Sequence, residues 1–285
     1  MSLDQKAMVV YLNISFWAAR KYDQRVSQEI EDKYNSEDAG RYNKLLIARD
    51  SIHNIQRIVS EARNFHYENT LPWLDNGGRL LPAANYFDYV NSIQKFQDEY
   101  EKEVENFISV YPQLKNEAKT RLNSMYDEED YPDVLTLSTK YSFSTQVSPV
   151  PIANDFRVNL NDEEVESIKE SIEEQVQEST ESAMHDLWTR LFKVVEHMVE
   201  RLKKEDNKFK NSLVNNISEL CDLLPKLNIT NDPELQSSVT EIKTKLTAYD
   251  PQTLRDNEAA RSETAVEAQK ILNKMRHYLP ITQEG

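Results

Sequence analysis

The chain has 285 residues, enough for one large or two modest domains with a sizeable core. Four glycines and ten prolines are too few turn formers for an all-β fold, while 29% charged residues and a mean hydropathy of -0.72 suit long helices with much wet surface. A formal net charge of -15 disfavours nonspecific binding to a phosphate backbone, so nucleic acid is not an expected partner.

Val10, Leu12, Ile14 and Phe16 alternate with Tyr11, Asn13 and Ser15. That period of two predicts a strand over 9–16, with a helix from residue 8 as the rival reading. A helical pattern follows through Val26, Ile30 and Tyr34. Residues 35–40 are a break, with Ser36 as the N-cap of what comes next. A helix is expected from about 37 to 67, where Leu45, Ala48, Ile52, Ile55, Val59, Ala62 and His66 fall at heptad spacing. Pro82 opens a second, with Tyr86, Val90, Ile93, Gln97, Tyr100, Val104, Phe107 and Tyr111. The two runs predict an antiparallel coiled-coil hairpin over 37–111 with Leu71–Pro82 at its tip. Pro112 is expected to end the second arm or start another helix.

Asp127 to Asp130 form an acidic turn, followed by a short apolar piece at 134–137. Alternation over 141–147 and 156–160 predicts two strands around Pro149 and Pro151. With 9–16 they would make a small antiparallel sheet. Asn161 or Asp162 caps a very long helix reaching about residue 206. Its first half, 162–181, carries nine acids and one base, Lys169, over a thin stripe of Val165, Ile168, Ile172 and Val176. Its second half has a broad apolar face and reads as core. Further helices are expected at 209–225, from Asp232-Pro233 to 246, and from Asp250-Pro251 to just before Pro280. The fold class is therefore mainly α and elongated, with a hairpin and small sheet in 1–160 and a helical bundle in 161–285, packed as one unit.

Chemistry is sparse. Phosphate-binding glycine motifs, G-x-S-x-G, H-E-x-x-H and Cys/His clusters are all absent. His197 and Glu200 form an i,i+3 pair, which long acidic helices give by chance. The single cysteine, Cys221, lies between Leu220 and Leu223 and reads as a buried small hydrophobe. It cannot form an intramolecular disulfide, which suits a reducing, cytoplasmic setting. No run approaches the ~20 apolar residues of a membrane span. No catalytic residue, cofactor or metal is assigned. The candidate protein-interaction residues are Trp73, Asp75 and Arg79 at the tip, and Asp155 and Arg157 after the prolines. The plainer readings are that Trp73 and its leucines close their own hairpin, and that Asp155 and Arg157 are an ordinary ion pair. Asp127 to Asp130 has the composition of a cation site, against the usual reading of a solvated acidic loop.

Leu71-Pro-Trp73, Gly78-Arg-Leu-Leu-Pro-Ala-Ala-Asn-Tyr86, Tyr131-Pro132 and Pro149-Val-Pro151 with Asp155-Phe-Arg157-Val158 together resemble an uncharacterised helical family. It is a domain-of-unknown-function family of bacteriophages and integrative mobile elements, often encoded near a MoxR-type AAA+ ATPase and a von Willebrand A-domain protein. The resemblance spans most of the chain and brings no catalytic residues. It implies a non-enzymatic adaptor or assembly protein in the bacterial host cytoplasm, working by protein contact with such an ATPase. Two alternatives stand beside it: an acidic inhibitor that mimics nucleic acid and occupies a host defence enzyme, and a phage structural or scaffolding protein. A homo-oligomer is compatible with all three.

Overall fold

The computed structural model describes residues 2–74, 76–155, 158, 161–204 and 209–278. In chain order the strands and α-helices are β1 (Ala7–Ser15), β2 (Arg20–Tyr22), α1 (Gln24–Tyr34), β3 (Asn43–Leu45) and α2 (Arg49–Glu68). Next come β4 (Leu71–Pro72), β5 (Arg79–Pro82), α3 (Tyr86–Leu122), α4 (Val134–Ser138) and β6 (Ser142–Pro149). The last are α5 (Asp162–Leu202), α6 (Ser212–Leu227), α7 (Pro233–Leu246), α8 (Pro251–Asp256) and α9 (Glu258–Met275). The fold is mainly α, with a four-stranded sheet of order β4-β5-β1-β6 and a two-stranded sheet, β2-β3.

The chain divides into two compact units. One comprises 1–11, 67–89 and 146–285; the other comprises 12–66 and 90–145.

In the first unit β1 lies antiparallel to β5, with Val9 opposite Leu80 and Ala7 opposite Pro82. β4 pairs with the other edge of β5, Leu71 opposite Leu80. The 71–82 stretch, which joins the antiparallel α2 and α3, is thus a β-hairpin set into a sheet and not a solvent-facing loop. Its leucines explain the change. Leu71, Leu80 and Leu81 are fully buried, an apolar content that a solvent-facing loop would leave wet. α5 packs along α9, α6 on α7, and α7 on α9. Leu187, Leu191, Val195 and Met198 of α5 join Ile217, Leu224, Ile242 and Ile271 in one core.

Local signals set these helix ends. Asn161 accepts from Glu164 N–H at 2.8 Å and so starts α5. Asp232 accepts from Glu234 N–H and Leu235 N–H, and Asp250 from Gln252 N–H and Thr253 N–H, each ahead of a first-turn proline. Each cap is worth about 1 kcal/mol. The expected single helix from 251 is two, because Asn257 leaves the helix at φ -115° and caps α9 through Ala260 N–H. α6 continues past its expected end through Pro225 to Leu227.

In the second unit α2 begins twelve residues later than expected, at Arg49 and not Glu37. Asn35, Asp38 and Gly40 all take positive φ, which no helix tolerates, and Asn43–Leu45 pairs with Arg20–Tyr22 instead. Ser36 caps nothing ahead of it; its N–H closes the end of α1 on Glu31 O. The seam residues Ile52, Ile55, Val59 and Ala62 are buried as expected, and on α3 so are Ile93, Tyr100, Val104, Phe107 and Tyr111. Near the start of α3 the buried position is Tyr89, while Val90 is exposed. Asn54 Nδ2 donates to Glu103 and Phe65 meets Phe96 at 5.8 Å, the order of an antiparallel pair. Pro112 does not break α3. Tyr111 beside it is held by Trp17 at 5.8 Å, edge-on, and by its own hydroxyl on Pro132 O, so packing outweighs one lost backbone bond.

Of the expected sheet, 9–16 and 141–147 correspond to β1 and β6. The third strand, 156–160, falls mostly outside the described residues, and Val158 is exposed and not in a strand.

Candidate functional site

The 71–82 hairpin brings two of the expected interaction residues into contact with their own unit. Gly77 turns at φ +81°. Gly78 follows because a Cβ there would lie 2.9 Å from Val9 Cγ1 and 3.0 Å from Tyr11 Cε1. Trp73 is half-buried and packs against the core of the unit. Asp75 lies outside the described residues.

Arg79 points back at the end of α2. Its Nε donates to Thr70 Oγ1 at 2.7 Å, its Nη2 to Thr70 O at 3.1 Å, and its guanidinium covers the Tyr67 ring at 4.8 Å. A second guanidinium reaches the same carbonyls from α5. Arg190 donates to Glu68 O at 2.6 Å, Thr70 O at 2.8 Å and Tyr67 O at 3.0 Å. Asp186, one turn earlier, holds it at 2.6 Å. Tyr67 O and Glu68 O end a twenty-residue helix and Thr70 O lies just beyond it, where unpaired acceptors and the negative end of the dipole both favour a cation. Burial, then the neighbouring Arg190, pull the Arg79 pKa down, yet an arginine keeps its proton. The arrangement is a two-arginine clamp on a helix end. Arg190 was not among the expected site residues; its i,i+4 spacing from Asp186 is the one local hint.

Asp155 closes a single 3-10 turn, exposed, with its N–H on Ile152 O at 3.0 Å. Arg157 lies outside the described residues, so the pair is not seen.

The acidic turn in the second unit is satisfied by protein cations. Asp130 is met by Lys44 Nζ at 2.6 Å and Lys21 Nζ at 2.8 Å. Lys44 also donates to Met125 O at 2.8 Å, with Asp23 at 3.8 Å. Burial pulls the Asp130 carboxyl up, but hydrogen bonds from Lys21 and Lys44 outweigh it and hold the carboxyl below its ordinary range. Glu128 is lowered by its hydrogen bonds from Lys115 and Tyr126. Asp127 accepts from Glu129 N–H. Asp23, Asp127 and Asp130 line a cavity of about 380 Å³ with Lys21, Lys44 and Arg25, where Asp130 is already committed to the two lysines and Asp127 to a backbone N–H. Among the described residues no three His, Cys, Asp or Glu side chains converge as metal ligands.

Cys221 is buried, which pushes its thiol up to about 11, the opposite of an activated nucleophile. No helix among the described residues is long and apolar enough to cross a membrane.

The first half of α5 is strongly acidic. All nine of its acids, Asp162 to Glu181, are exposed, and Val165, Ile168, Ile172 and Val176 are half-buried beneath them. No family model, curated protein or solved structure matches this chain.

Proposed function

We propose that this chain is a non-enzymatic helical adaptor or assembly protein of phage or mobile-element origin, engaging a basic protein surface through the first half of α5. The observation that carries this reading is the run of nine exposed acids against one lysine over five helical turns. Such a charged face gives little to the fold, whereas across an interface it steers a partner of opposite sign and excludes others. Trp73 and Arg79 are engaged within their own unit, so docking falls to α5 in preference to the hairpin. The resemblance to the mobile-element family makes a MoxR-type AAA+ ATPase the first partner to try. The test is co-elution of the purified pair. Replacing Glu166, Glu170, Glu173 and Glu174 by lysine should abolish it with helix content unchanged. No co-elution with the native chain, or undiminished co-elution with the variant, overturns the proposal.

A second reading draws on the same helix. Glu163, Glu166, Glu170, Glu174, Glu178 and Glu181 make an exposed row stepping three or four residues, ~4.5–6 Å each. Such a row supports an acidic mimic of nucleic acid. Competition with DNA for a host defence enzyme is its test, and failure to displace DNA discards it.

A further inference from the structure

We infer that the second unit binds a small zwitterion, a free amino acid with an apolar side chain, in the cavity between residues 21–25 and the 124–130 segment. The cavity is about 380 Å³, within the size range of small-ligand pockets. Its wall carries three cations, Lys21, Arg25 and Lys44, and three carboxylates, Asp23, Asp127 and Asp130. Balanced in this way, it suits a ligand that holds both signs close together and gives little net pull on a simple ion.

The buried part of this wall is closed on itself. Asp130 takes Lys44 at 2.6 Å and Lys21 at 2.8 Å. Lys44 also donates to Met125 O at 2.8 Å and faces Asp23 at 3.8 Å, while Asp23 accepts from Val26 N–H at 3.1 Å. One cation and one carboxylate are left with capacity for a ligand. Arg25 meets Glu29 through Nε alone, at 3.8 Å, with both side chains 67% exposed, so its two Nη groups are open. Asp127 gives Oδ1 to Glu129 N–H at 3.0 Å, and a carboxylate has further lone pairs on both oxygens. Among the described residues Arg25 and Asp127 line the same cavity without pairing with each other. Lys21 keeps two N–H groups beyond the one on Asp130.

These open groups divide the ligand between them. Its carboxylate fits the Arg25 fork, which can take it bidentately, and the spare N–H groups of Lys21. Its ammonium fits Asp127. Tyr22, Met125 and Tyr126 give the same wall aromatic and thioether surface for the side chain. Tyr126 is already fixed, stacked on Tyr131 at 5.0 Å with its hydroxyl donating to Glu128 at 2.6 Å. The two sides of the cavity are fixed as well, because Lys21 of β2 and Lys44 of β3 both end on Asp130. The site is therefore formed before the ligand arrives, which lowers the cost of binding.

Titration calorimetry on the full chain tests this with L-phenylalanine, and with phenylalanine amide and N-acetylphenylalanine, which lack the carboxylate and the ammonium respectively. Saturable binding of one equivalent is expected for phenylalanine, at least about tenfold tighter than for either analogue. Arg25→Gln and Asp127→Asn should each weaken it by about tenfold. The asparagine keeps a carbonyl oxygen for Glu129 N–H, so the 128–130 turn persists. Lys95→Gln, on α3, should leave binding unchanged. Each variant's circular dichroism should match the native chain. Absence of saturable heat from phenylalanine up to about 10 mM overturns the site. So does an analogue that binds as tightly as phenylalanine, or binding that survives Arg25→Gln combined with Asp127→Asn.

Discussion

Replacing Asp130 by asparagine should release the two-stranded β2-β3 sheet. Each of those strands has only three residues, too few to hold together on backbone bonds alone. One carboxylate joins their side chains: Lys21 from β2 and Lys44 from β3 both end on Asp130. The Asp130 side chain is 4% exposed and that of Lys44 8%, whereas Lys21 is 54% exposed. The exposed pair is screened by solvent and contributes little. Breaking the buried pair strands the Lys44 ammonium, a loss of about 3–5 kcal/mol. Asp23 still faces it at 3.8 Å, so the low end, about 3 kcal/mol, is the expected value. Amide exchange across 20–22 and 43–45 should therefore quicken by roughly 100-fold, since about 1.4 kcal/mol is a factor of ten. Combining Asp130→Asn with Lys44→Met removes both charges and should restore most of the protection. The carboxyl titrates below its ordinary range in the folded chain. Its contribution is then complete above the unfolded value of about 4 and is lost as pH falls through the lower folded value. The native chain, corrected for intrinsic exchange, should show that acid loss and the asparagine variant should not. Exchange in Asp130→Asn within about threefold of native, well under 1 kcal/mol, would refute the reasoning.

Leu80→Ala should cost about 2–5 kcal/mol in urea unfolding, because Leu80 is fully buried between β1 and β4 in the core. Arg190→Gln should cost about 1–3 kcal/mol, and joining it to Arg79→Gln should cost more than the two singles summed, since each arginine partly covers Tyr67 O and Thr70 O for the other. Simple additivity would rule out a shared clamp. Cys221 should react with a thiol reagent at pH 8 at least about 100-fold more slowly than free cysteine, because burial holds its thiol near 11. Labelling at the free rate would show that α6 is not packed as described.

The mainly α class with a small sheet was legible in the sequence, as were β1, β6 and most helix boundaries in the last third. There the signals are local: an Asx cap, a proline at the first turn, a period of two or of 3.6. The failures are instructive because the wrong pattern was also real. Leu45 and Ala48 continue the heptad spacing by coincidence, but neither is in α2; Leu45 belongs to β3. The β2 and β3 sequences, Arg-Lys-Tyr and Asn-Lys-Leu, carry no apolar alternation, and a two-residue strand such as β4 is below any periodic signal. Gly77 and Gly78 marked a turn without saying what lay on either side. Trp73 and Arg79 set an aromatic near a guanidinium in sequence, the composition of an interface anchor. The same pair of types serves a core edge and a helix end, and only the partners distinguish the cases. Those partners are remote: Arg190 reaches Glu68 across 122 positions and Lys44 reaches Met125 across 81. Spacing along one chain does not reveal such meetings.

The interleaved make-up of the two units has a consequence for how the chain is made. Residues 12–66 and 90–145 are all present once residue 145 has left the ribosome, so the second unit can close early. The first unit cannot, because its helices α5 to α9 are still unmade while Val9, Leu71 and Leu80 have long emerged. At ~5–20 residues per second that apolar set waits roughly 10–30 s for its cover. The β4-β5-β1 pairing is thus the exposed, aggregation-prone intermediate of synthesis, and a chain truncated near residue 145 should yield a folded second unit trailing an unsatisfied sheet.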